Sequence, residues 1–301
     1  MLIFNKFPNL TVIVSCFFWG SYWIPLRYID SDSNSSLWPI FFSFLLLSLL
    51  LLKPLIKAMR AIFYEHNYFF FYGSFFAATG ITFYSESLLR GEIAKVVVLF
   101  YLCPIWGTIF AKILLGNKLT IKRLLSIILG IIGLEIMVGI EKGIIFPTSI
   151  VEWIALSAGL SWALGMTLFH MAKSTNGFEK TALTAFIIPF VYLVLCFVPG
   201  GRTLEIPNQL FSMNILYLWM ILFAVVWLLP SILLTYFSVE ILDPGRINIL
   251  LAFEVAVGFI SAGLLTNEII GPREYLGALF VLSACFVDIS IWKKFNVYFS
   301  K

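Results

Sequence analysis

The chain has 301 residues, 61% of them from the set AVILMFWYC and only 12% charged, with a mean hydropathy of +0.99. A soluble domain carries about a quarter charged residues, so this chain has too few polar side chains to coat a water-soluble globule, and lipid is its expected solvent. The net charge of +4 lies mostly in short loops between apolar runs and reads as a topology signal, not as a nucleic-acid surface.

A spanning helix needs about 20 apolar residues. In chain order the candidates are Pro8–Ile29, Leu37–Leu55, Tyr68–Leu89, Ile93–Leu115, Leu124–Ile140, Ile150–Met171, Thr181–Val198, Ile215–Val239, Ile247–Leu265 and Tyr275–Trp292. The first follows Lys6, exceeds a signal-peptide core and lacks a small-x-small cleavage site, so it reads as a span. Pro54 cuts the second, and the seventh is short and carries Pro189. No period-two alternation marks a barrel. With both termini cytoplasmic, 14 of the 20 Lys and Arg residues fall inside and 6 outside, the bias that the positive-inside rule demands.

Segments recur at a near-constant offset. Gly116–Arg123 closes the fourth span and Thr266–Arg273 the ninth; Thr82–Leu89 ends the third and Thr235–Leu242 the eighth. Trp19-Gly20 and Trp162-Ala163 occupy the first and sixth. The expected organisation is therefore all-α, ten transmembrane helices as two inverted five-helix repeats, residues 1–141 and 142–301. Five spans is an odd number, so the second copy must be inverted in the membrane. Secondary transporters are commonly built this way, with the site near the midplane between the repeats.

Phe18-Trp19-Gly20-Ser21, Leu99–Trp106, Glu254-Val255 and Glu268 followed by Gly277-Ala278 resemble the EamA-like branch of the drug/metabolite transporter superfamily over nearly the whole chain. The resemblance implies a ten-helix inverted-repeat carrier with a central cavity, moving amino acids, amines, nucleotide-like compounds or other small metabolites without ATP. Three places depart from the family: Asn117-Lys118 stand where an acid often precedes the fifth span, Val255-Ala256 where a proline often follows the ninth-span Glu, and Ser43 and other uncharged residues where an Arg is often found early in the second span.

Glu254 is the sharpest candidate, about 12 Å deep at 1.5 Å per residue. A charge at that depth costs at least ~2.5 kcal/mol and should face protein or water. Gly258 and Ser261 share its helix face. Pro104 falls opposite Glu254 under an offset of 150, and the carbonyl it frees is expected to line a cavity on the side of Tyr101 and Thr108. Trp19, Tyr22, Tyr84, Tyr101 and Trp162 lie deep in their spans, and an aromatic wall with one carboxylate suits an organic cation or a flat ring. Trp38, Trp153, Tyr275 and Trp292 read as interface anchors. Glu86 and Arg90 are four apart at the outer end of the third span and can pair on one face.

The four cysteines are scattered singly, and the two histidines are far apart. No metal site, cofactor or catalytic constellation is expected, and no Gly-rich phosphate loop is present. The expected activity is secondary transport of a small metabolite, an amino acid or organic amine, by a multi-pass protein of the cell (inner) membrane, with proton coupling left open. The alternative, a membrane-embedded enzyme acting on a lipid, lacks clustered acids or histidines at one interface.

Overall fold

The computed structural model describes residues 6–32, 36–91, 93–138, 147–197, 203–205, 214–265 and 271–298. The 1–141/142–301 boundary, Glu268 and most of the 266–273 segment lie outside these. The described residues are helical almost throughout: α1 (Pro8–Gly20), α2 (Trp23–Asp32), α3 (Trp38–Leu50), α4 (Leu52–Phe63), α5 (Tyr68–Arg90), α6 (Ile93–Phe100), α7 (Cys103–Leu115), α8 (Ile121–Val138), α9 (Ile150–Met171), α10 (Gly177–Cys196), α11 (Asn214–Leu222), α12 (Leu229–Val239), α13 (Pro244–Leu251), α14 (Phe253–Leu265) and α15 (Pro272–Tyr298). A π-helical stretch, Phe223–Leu228, joins α11 to α12.

Every apolar run falls on helix, but several are broken, and proline explains most of the breaks. A proline ring clashes with the carbonyl four residues earlier. Pro25, Pro54 and Pro104 each follow an interruption, at Ser21-Tyr22, Leu51 and Tyr101-Leu102 respectively. Pro230 follows the π-helical stretch, which widens the turn that the ring would otherwise foul. The break at Ala252 between α13 and α14 has no proline behind it.

Among the described residues, five helices are long and apolar enough to cross a membrane: Pro8–Ser31, Val96–Leu115, Ile150–Met171, Gly177–Cys196 and Ile215–Val239. The second predicted span differs from expectation. α3 and α4 meet at 84°, and the 13 residues of α3 reach only about 20 Å. α4 buries Leu55, Ala58 and Ala61 and exposes Lys53, Lys57 and Arg60, the pattern of a helix lying in the interface plane.

The helices pack through small residues and hydroxyls. Ser74, Thr82, Ser85, Thr167, Thr181 and Thr235 are buried and return their hydroxyls to carbonyls four residues earlier, so they bring no orphan donor into the apolar interior. One expectation is corrected. Trp38 is buried, held against Tyr217 and Phe42, because α3 starts beneath Thr203 and Glu205; it is no interface anchor. Glu86 is also buried. Trp153 and Tyr275 are exposed as anchors are.

Candidate functional site

A narrow cavity of about 350 Å³ lies at the centre, lined by Trp19, Gly80, Ile81, Tyr84, Phe100, Cys103, Trp162, Leu251 and Glu254. Side chains divide this space so finely that it has room for about one water.

Glu254 is placed by the break at Ala252, which starts a new helix at Phe253 and leaves the carboxylate in the first turn of α14. There the free N–H groups and the helix dipole favour negative charge. The break is held from three other helices. Tyr101 donates to Leu251 O (3.3 Å), Cys16 to Leu250 O (3.5 Å) and Cys285 to Ile249 O (3.3 Å). The Tyr101 hydroxyl also lies close to the Glu254 carboxylate. Glu254 itself is 7% exposed.

Aromatic rings form the rest of the wall. Trp19 meets Trp162 edge-on at 5.9 Å, and Tyr84 stacks on Phe100 at 4.1 Å. Trp19 donates its indole N–H to Thr235 (3.3 Å). The Trp162 indole N–H is buried and has no hydrogen-bond partner among the described residues. Phe100 is fixed from behind by α9. A Cβ on Gly159 would come within 2.4 Å of the Phe100 carbonyl oxygen, so only glycine allows that approach.

Of the sequence candidates, Trp19, Tyr84, Trp162 and Glu254 line this cavity together. Tyr22 lies behind Trp19, ring centroids 5.5 Å apart, and bonds Ser85 (2.8 Å). Tyr101 lies on the seam between this cavity and a second, apolar one of about 310 Å³. Pro104 is the second residue of α7 and lines only that second space, with Ile127, Leu134 and Ile249 among its neighbours. The carbonyl that Pro104 frees, Phe100 O, packs on Gly159. Gly258 packs on the Gly20 carbonyl of α1. Phe100, Cys103, Gly80 and Leu251 were not singled out from sequence; the Phe100-Tyr101 pair ahead of Pro104 was the available signal for the first two.

At the end of the molecule bearing the short 116–123 loop, polar ties cross between α7–α8 and α12–α13. Arg123 pairs with Asp243 at 2.7 Å, and Asn117 donates to the other Asp243 oxygen. Arg246 donates to Asn9 (3.1 Å). Lys180, fully buried, lies 3.7 Å from Glu240 and donates to Thr175 O. Burial raises the Glu240 carboxyl above its ordinary pKa, and the Lys180 ammonium opposes that rise.

Residues 6–139 match the sequence profile of the EamA-like transporter family. No curated protein matches the chain. Among solved structures, one described only as a protein has a TM-score of 0.67 at 11% identity, covering 94% of this chain and 98% of its own. That likeness concerns the fold alone. The chain is a multi-pass membrane protein, and its stretch 6–139 is similar to the EamA-like transporter family.

Proposed function

We propose that the protein is a secondary carrier for a small amino acid or organic amine, built of ten spans as two inverted five-span repeats, 1–141 and 142–301. It works by alternating access in the inner membrane with both termini cytoplasmic. The observation that carries this reading is a buried carboxylate, Glu254, in an aromatic-walled cavity where two broken helices meet, α6–α7 from one half and α13–α14 from the other. Interrupted helices at corresponding places of two halves are a mark of transporter sites. Packing supports the repeats. α5 packs on α9 and α12 on α1; α6 and α7 pack on α9, as α13 and α14 do on α1; α8 pairs with α15. Exchanging the halves maps α8–α15 onto itself and each of the other contacts onto another.

In this reading Glu254 accepts the substrate ammonium, and the rings of Trp19, Trp162, Tyr84 and Phe100 surround it through cation–π attraction. The free Trp162 N–H gives a second anchor for a substrate carboxylate. The same Glu254 carboxylate is available to carry a proton in exchange. The test is uptake into proteoliposomes of labelled amino acids, polyamines, quaternary amines, purines and organic acids. Saturable uptake of a cation or zwitterion is expected, falling at least about tenfold in Glu254→Gln. Uptake of organic anions alone, indifferent to that substitution, overturns the reading. The pH change per substrate moved decides proton coupling.

A further inference from the structure

Asp243 does two jobs at once. Its Oδ1 accepts from the backbone N–H of Arg246 (3.2 Å) and so caps α13, the helix that leads to the Glu254 break. The same Oδ1 takes Arg123 Nη1 at 2.7 Å, and Oδ2 takes the Asn117 amide. Arg123 and Asn117 belong to the α7–α8 segment, across the seam from α13. The pair is partly shielded, the side chains 15% and 24% exposed, so water screens it less than it screens a surface pair. Beneath it the two helices touch closely: a Cβ on Gly107 of α7 would fall 2.3 Å from the Asn248 amide of α13. From Asp243 to Glu254 is eleven residues, about 16 Å of helix. The tie therefore lies between the central cavity and the face of the membrane that the charge bias assigns to the cytoplasm.

We propose that Arg123, Asn117 and Asp243 form the latch of a cytoplasmic gate, which must part before the cavity opens to that side. The proposal rests on the carrier reading above. A carrier of alternating access needs a closure on each side of its site, and a closure of this kind joins the two moving halves. A charge-assisted tie between them, anchored on a helix cap, holds one state and is released in the other. Asn117 takes part where an acid is common in the resembled family; an acid there would repel Asp243, so the amide is what allows this contact.

Cys103 is a native reporter, since it is buried and lines the cavity. The protein is reconstituted, a membrane-impermeant trimethylammonium methanethiosulfonate is applied from either face, and Cys103 modification is followed by peptide mass spectrometry. Asp243→Asn keeps a capping side chain but removes the charge; Arg123→Gln removes the partner. Each is expected to speed Cys103 modification from the cytoplasmic face at least about fivefold, and the double variant no further, as two residues sharing one interaction behave. Thermal melting of each variant checks that it is folded, and Asn117→Ala provides a milder third variant that leaves cap and ion pair in place.

Rates within twofold of the parent in all variants, with Cys103 still reached from the outer face, overturn the latch and leave the carrier standing. Fast modification of the parent from the cytoplasm also overturns the latch. Failure to reach Cys103 from either face, in any variant, overturns the central cavity and the latch with it.

Discussion

At the residue scale, two polar atoms carry most of the expected selectivity. Glu254 offers an acceptor and Trp162 Nε1 a donor, both buried. A buried donor left unpaired costs about 1–3 kcal/mol, and a ligand that satisfies it recovers that cost. Trp162→Phe keeps an aromatic ring, a smaller one, and deletes the N–H. It is expected to lower uptake of an amino acid about tenfold while leaving its decarboxylated amine nearly unchanged, measured as paired uptake in proteoliposomes; an equal fall for both would put Trp162 in the wall without a polar role. Tyr101→Phe removes the donor to Leu251 O, and that carbonyl then has no tyrosine to meet it. Thermal melting in detergent is expected to show a loss of about 1–3 kcal/mol with helicity unchanged. An unaltered melt would mean that Cys16, 3.8 Å from the same carbonyl, suffices to hold the break.

At the element scale, the broken helices decide where these atoms lie, and here sequence and structure differ in an instructive way. The breaks before Pro25, Pro54, Pro104 and Pro230 follow from proline sterics and were open to reading, although Pro104 points the freed Phe100 carbonyl into α9 and away from the cavity. The break that places Glu254 was not legible, because no proline or glycine marks it. It depends on donors from Tyr101, Cys16 and Cys285, 36 to 235 residues away in sequence. For the same reason the Arg123–Asp243 tie, 120 residues apart, left no local signal. Depth and charge alone sufficed to find Glu254. Gly159 tests the packing behind the site. Gly159→Ala would drive a methyl into the Phe100 carbonyl, which is backbone and cannot swing aside. A loss of about 1–3 kcal/mol on melting is expected from such overpacking. Gly130→Ala, whose new methyl would meet Ala284 at an ordinary 3.8 Å, should melt like the parent. Similar melting of both variants would refute the close approach at Phe100.

At the scale of the whole molecule, the packing recurs where the sequence matches are short: α5 packs on α9 as α12 packs on α1. The orientation rests on charge. Arg123, Asp243, Arg246 and Asn9 meet at one end of the helices, and Lys180 and Glu240 lie on α10 and at the end of α12. The charge bias independently assigns Lys6, the 116–123 loop, Lys180 and Arg246 to the cytoplasm. Cations drawn from four separate stretches of sequence thus receive the same side from loop counting, and those of the 123–246 cluster are joined by direct contacts. The expected topology follows, and reporter fusions in a bacterial host check it. A green fluorescent protein joined after Lys118 or after Thr175 should fluoresce, and alkaline phosphatase at those points should be inactive. Phosphatase joined after Gly91 should be active, because Arg90 closes the outer end of α5. Activity at Lys118 with none at Gly91 would invert the molecule, move the Arg123–Asp243 tie to the outer face, and turn the proposed latch into an external one.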